Sequence, residues 1–194
     1  MTSTVSLTEE LLSQDLESDL TRIILTVQSV VNIINNKLRS TNSETEDQLV
    51  SWSNQVWLDK LIKSKAVKMI VTRLASSMLE VDTEHQGLES VLVAFDPLTI
   101  DQSLDLVASS SFAVWRRGGS GQEEEDISSL IEDGESLLCC GLINYGVQTR
   151  VLVGGEGGAT LYHLDTELGQ LVSAPKNTVS RQQILSLPTD SPGN

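Results

Sequence analysis

The strongest constraint in this sequence is a single change of apolar period. Leu16, Leu20, Ile23, Ile24, Val27, Val30, Val31, Ile34 and Leu38 recur at three- and four-residue spacing. That spacing makes one apolar stripe along a long helix. Ser6 and Glu9 have the separation of a capping box at its start. The polar stretch Arg39 to Glu46 interrupts the pattern, and a second helix is predicted beyond it. Its buried side is read as Leu49, Trp52, Val56, Leu61, Ile62, Ala66, Met69, Ile70 and Leu74, and its outer side as Lys60, Lys63, Lys65, Lys68 and Arg73.

Further along, the apolar runs shorten and turn residues separate them. Val91 to Phe95 reads as a buried strand stopped at Asp96-Pro97. Strands are predicted within Leu104 to Trp115, then over Leu137 to Tyr145, Thr149 to Val153, Ala159 to Leu164 and Gln170 to Val172. Gly154, Gly155, Gly157 and Gly158 mark a hairpin turn. Helices followed by a β-meander predict an α/β chain of the α+β type, two long N-terminal helices packed on a mostly antiparallel sheet. Residues 1–185 are read as one domain and residues 186–194 as a flexible tail. Residues 118–135, Gly-rich and then acidic without a balancing Lys or Arg, are read as a mobile loop.

Aromatic residues make up only 4% of the chain, so the core has to be aliphatic. A single domain of 194 residues buries about 70% of the surface its unfolded chain exposes. The formal net charge is −14. Such a charge repels nucleic acid and anionic membrane surfaces and disfavours both as partners. Cys139 and Cys140 are adjacent, and in a strand their side chains point to opposite faces, so two free thiols are expected. Free thiols suit a reducing compartment. With no signal-like N-terminus and no apolar run of membrane-spanning length, a cytoplasmic protein is expected.

The segment VLVAFDPLTIDQSLDLVASSSFAVWRR, Val91 to Arg117, resembles the signature segment of class 1 fructose-1,6-bisphosphatases. Phe95, Asp96, Pro97, Leu98, Asp105, Trp115 and Arg116 stand in matching places. The likeness continues at Tyr145-Gly146, Leu164-Asp165 and Gly169, and upstream at Ser40-Thr41-Asn42 and Asp47-Gln48. It runs from about residue 15 to about residue 180 and corresponds to the N-terminal part of that family. The resemblance implies half of the bisphosphatase fold. It also implies a site in which carboxylates hold Mg²⁺ ions that activate water and neutralise a phosphoryl group.

Carried over position by position, Asp47, Glu80 and Asp96 remain as metal ligands. The second of the family's paired glutamates falls on Val81, the second aspartate of its Asp-Pro-Leu-Asp motif on Thr99, and a helical aspartate near Ser53. The phosphate-cradling Gly-Ser-Ser reads Ile100-Asp101-Gln102. A carboxylate at Asp101 repels a phosphate a few Å away by roughly 4 kcal/mol per unit charge at an effective dielectric of about 20. Asp19 and Thr21 fall near the AMP site of some members, but the expected basic-aromatic pair reads Ser90-Val91, which argues against AMP binding.

The expectation is therefore a degenerate bisphosphatase-like protein without cofactor, re-used to bind or transform a different small molecule, as in specialised biosynthesis. Catalytic candidates are Asp96, Asp101 and Asp105 around the signature turn, with Asp47 and Glu80 approaching it; crowding would raise their pKa values and supply a general acid. Two alternatives stand beside this reading. One is a noncatalytic homo-oligomer, favoured by apolar surface left where the family has a second half. The other is a residual Mg²⁺-dependent sugar-phosphate phosphatase using Asp47, Glu80 and Asp96. The two histidines, His85 and His163, lack zinc-site spacing.

Overall fold

The apolar stripe of the first helical segment forms α1, Ser18–Ser40. Leu20, Ile23, Ile24, Val27, Val30, Val31 and Ile34 are all buried. Each such side chain contributes about 1.5–3 kcal/mol when fully withdrawn from water. Asp19 in the first turn and Lys37 and Arg39 in the last complement the helix dipole. At the C-terminal end the hydroxyls of Ser40 and Thr41 both donate to the Lys37 carbonyl, at 3.0 and 2.8 Å. The computed structural model describes residues 5–9, 18–41, 43–74, 77–83, 90–101, 107–117, 136–155 and 158–173. Leu16, the loop 118–135 and the tail 186–194 lie outside them. The Ser6–Glu9 capping box forms in both directions, at 2.9 and 3.2 Å, around helical residues 7–9.

Helix α2, Glu46–Ser64, is shorter than the sequence pattern predicts. Thr45 caps it through a reciprocal box with Gln48. Lys65 ends it in the left-handed conformation at φ 55°, with its amide donating to the Ile62 carbonyl. The predicted continuation to Leu74 is instead β1, Met69–Leu74. The run Met-Ile-Val-Thr is rich in β-branched residues, and a strand lets it bury both faces. The buried face of α2 is also rotated from the expected one. Leu49, Ser53, Trp57 and Leu61 point inward at four-residue spacing, while Ile62 is 44% exposed.

Eight strands form one sheet: β1, β2 (Ser77–Asp82), β3 (Ser90–Asp101), β4 (Val107–Arg117), β5 (Leu137–Tyr145), β6 (Arg150–Gly155), β7 (Gly158–Asp165) and β8 (Gln170–Ser173). Their order is β2-β1-β3-β4-β5-β6-β7-β8. Every neighbouring pair is antiparallel except β1 with β3. The main core lies between the helices and one face of this sheet and includes Val93, Phe95, Phe112, Val114, Ile143, Val151, Tyr162 and Leu171. Trp57 of α2 stacks on Phe95 with ring centroids 5.0 Å apart. On the opposite face Val71, Leu92 and Trp115 form a second, smaller cluster. The fold is thus the expected α+β arrangement of helices on a mostly antiparallel sheet.

Proline does not end β3, contrary to the sequence reading. The strand runs on to Asp101, and the register with β4 shifts between Asp96 and Thr99. This bulge changes the alternation: Val91, Val93 and Phe95 face the helix-side core, and beyond it Leu98 and Ile100 do. Pro97, which has no N–H to give to the ladder, sits in the bulge where none is required.

Candidate functional site

The signature turn is anchored through one carbonyl. Ser53 of α2 donates its hydroxyl to the Pro97 carbonyl at 2.7 Å, and Ser110 of β4 donates to the same oxygen at 2.6 Å. Ser110 is also 3.2 Å from the Tyr145 hydroxyl. A serine has one proton, so with Ser110 committed to Pro97 the tyrosine is the donor in that contact. Burial pushes the Tyr145 phenol well above its ordinary range, against a smaller lowering by Ser110. Beside this group Thr72 donates to Asn54 at 2.9 Å, both side chains buried. The turn is therefore gripped by neutral polar groups on α2, β4 and β5.

Asp96 is half-buried next to this anchor. Thr99, at the far side of the bulge, lies with its hydroxyl 3.3 Å from Asp96 Oδ2 and donates to it. Where the bisphosphatase pattern sets a second carboxylate, this chain has a neutral donor to the first.

The other candidates lie elsewhere. Asp47 is exposed in the first turn of α2, in the helical layer. Glu80 is exposed on β2, opposite Val71, which is in turn opposite Ala94 of β3. Two strand spacings, about 10 Å, separate Glu80 from β3. By alternation Asp96 shares the face of Leu92 and Ala94, away from α2. Val81 packs toward the main core, with Glu80 on the other side of its strand. Among the described residues no three His, Cys, Asp or Glu side chains form a group able to hold a metal ion. Asp47, Glu80 and Asp96 thus form no such group with one another, whereas a Mg²⁺ asks for several converging oxygens in near-octahedral array. Asp101 ends β3 opposite Val107, but its side chain and all of Asp105 and His85 lie outside the described residues. His163 is half-buried on β7, between Arg150 and Val172 on the neighbouring strands.

Cys139 is buried and Cys140 exposed, and both thiols are free, as the alternation requires. Burial, with a smaller contribution from the adjacent Cys140, pushes the Cys139 thiol up to about 12. The inward place of Ser53 is hidden in the sequence because serine on an apolar helical stripe reads as a break in it. Four-residue spacing from Leu49 through Trp57 to Leu61 is the signal that would have placed Ser53 inward.

An eight-stranded sheet with two long helices on one face and a bulged Asp-Pro-Leu turn in its third strand gives the chain a mixed fold of the α+β type. In fold it matches fructose-1,6-bisphosphatase from Leishmania major, with a TM-score of 0.74 over 89% of this chain at 20% identity for the holo form, and 0.72 over 89% at 22% identity for the apo form. In sequence it resembles class 1 fructose-1,6-bisphosphatases. Isozyme 2 from Bos taurus is 26% identical over 127 residues, 64% of this chain, and the Shewanella baltica class 1 enzyme is 24% identical over 183 residues, 86% of it. No family model matches the chain. The chain spans 36% of the bovine protein's length, 54% of the Shewanella protein's and 58% of the holo Leishmania chain. No described helix is long and apolar enough to cross a membrane.

Proposed function

We propose that this chain is a bisphosphatase-like scaffold re-used to bind or transform a small molecule other than a sugar bisphosphate, without Mg²⁺-dependent phosphate hydrolysis. The observation that carries this reading is the Thr99 hydroxyl on Asp96. Two carboxylates flanking the turn would share a divalent ion. One carboxylate with a neutral donor has less charge to attract an ion and already spends an acceptor position. Ser53 and Ser110 add hydroxyls that fix the turn without adding charge.

In this reading Asp96 is the described group that meets the ligand, and a neutral or cationic molecule suits its carboxylate better than a phosphate. This reading assigns the chain to a specialised biosynthetic pathway. Two free thiols suit a reducing compartment, and this reading places the chain in the cytoplasm.

Thermal unfolding tests the proposal, because a ligand that binds only the folded state raises the midpoint. Mg²⁺ with fructose 1,6-bisphosphate is expected to leave the midpoint unchanged, while a member of a panel of unphosphorylated polyols, sugars and amines raises it. A rise with Mg²⁺ and the bisphosphate that disappears in Asp96→Asn contradicts the proposal.

A further inference from the structure

An amide interrupts the apolar row of α1. Val27, Val31 and Asn35 follow one another at four-residue spacing on its inner side, and all three are buried. The two valines belong to the main core. Asn35 is only 2% exposed, and so is Thr149, which directly precedes β6. The Thr149 hydroxyl donates to Asn35 Oδ1 at 2.7 Å. The other half of the amide is unanswered, because Asn35 Nδ2 is buried with no hydrogen-bond partner. A buried N–H without an acceptor has given up its bond to water for nothing, so native folds nearly always pair such groups.

Turning the amide over does not remove the conflict. Nδ2 would then donate to Thr149 Oγ1, Oδ1 would take the unpartnered place, and the Thr149 proton would lose its acceptor. Either orientation leaves one polar atom of Asn35 without a protein partner. Trp57 Nε1 is buried and unpartnered too, but its ring packs against Phe95 and Phe112. A buried water needs about two to four polar partners. Aromatic rings do not supply them, whereas the Asn35 corner has both a donor and, on Thr149 Oγ1, a lone pair still to fill.

We propose that one water molecule is built into the fold between α1 and the start of β6, where it accepts from Asn35 Nδ2 and donates to Thr149 Oγ1. The three groups then close a ring in which each donates to the next: Nδ2 to water, water to Thr149, and Thr149 to Oδ1. The second proton of the water is left for a carbonyl of the turn 146–149. Arg39 ties that turn to α1 by donating to the Val147 carbonyl at 2.9 Å. Asn35 and Thr149 are both neutral, which suits water better than an ion. The water fixes the axial position of α1 over β6, the part that a polar residue in an apolar row is best attested to play. This site is independent of whatever binds at the signature turn.

Rotating-frame water–protein nuclear Overhauser spectroscopy on the isotope-labelled intact chain tests it, because dipolar contact with water and chemical exchange carry opposite signs there. A dipolar cross-peak from water to the Asn35 side-chain amide protons is expected. Thr149→Val keeps the shape and removes the hydroxyl, and should lose the cross-peak. Thr149→Ser keeps the hydroxyl and should retain it. A crystal structure of the intact chain gives a readout that needs no variant: a water within hydrogen-bond distance of both Asn35 Nδ2 and Thr149 Oγ1.

Three results overturn the proposal. The first is an intact chain without the cross-peak. The second is a protein carbonyl found bonded to Asn35 Nδ2. The third is a cross-peak kept in Thr149→Val or lost in Thr149→Ser, since either removes the hydroxyl as the bridge.

Discussion

The hydroxyl of Ser53 on α2 and the carbonyl of Pro97 in β3 are 2.7 Å apart, and this bond ties the helical layer to the bulge that carries Asp96. Ser110 reaches the same oxygen from β4. A buried carbonyl with two donors tolerates losing one far better than losing both. Ser53→Ala should therefore cost about 1 kcal/mol, and Ser53→Ala with Ser110→Ala more than the sum of the single changes, because the orphaned carbonyl adds about 1–3 kcal/mol. Urea unfolding of the two single variants and the double variant measures this. Simple additivity would show that the two hydroxyls do not act on a shared acceptor.

The buried thiol and phenol make the fold sensitive to alkali. Both groups have folded pKa values raised above the unfolded ones, so both are neutral in the native state. Their stabilising contribution is whole below the unfolded pKa and is lost as pH rises toward the folded one. For Cys139 the window runs from the ordinary 9.0 up to about 12, a loss on the order of 4 kcal/mol across it. Tyr145 adds a loss that begins near pH 10, the ordinary phenol value. Stability measured by urea between pH 8 and pH 11 (roughly the span set by these groups) should fall, and should fall less in Cys139→Ala. Below that range a thiol reagent should modify Cys140 alone in the native chain and both cysteines once it unfolds. Equal decline in both proteins would remove Cys139 as a cause.

Gly141 is required by a ring. A Cβ built on it would lie 2.3 Å from Phe112 Cε1 and 2.6 Å from Cζ, with the Leu152 carbonyl at 3.0 Å. Phe112 is itself 6.3 Å, centroid to centroid, from Trp57, so the ring has little room to yield. Gly141→Ala should cost about 1–3 kcal/mol as overpacking and alter tryptophan fluorescence. Combining it with Phe112→Leu should recover part of the loss. If Gly141→Ala is neutral, the close approach is not a constraint on the fold.

Periodicity alone gave α1, the strands from Leu137 onward and the α+β architecture, because those segments bury one face and expose the other. It failed where a segment buries both faces. Met69 to Thr72 packs Ile70 into the helix-side core and Val71 into the cluster on the other side, so its apolar run has no period of its own and reads as more helix. The Thr45–Gln48 capping box is legible in the sequence. At the site, the identities of Asp96 and Thr99 were legible, but their hydrogen bond depends on the bulge, which Pro97 had suggested was a strand end. Asp47 and Glu80 were expected to converge on Asp96 through resemblance, a relation between distant elements that spacing does not encode.

Phosphate release from fructose 1,6-bisphosphate in the presence of millimolar Mg²⁺ or Mn²⁺ tests the central claim most directly. The account predicts no release above the rate in buffer, for the intact chain and for Asp96→Asn alike. Steady turnover by the intact chain, abolished in Asp96→Asn while that variant still folds, would contradict it.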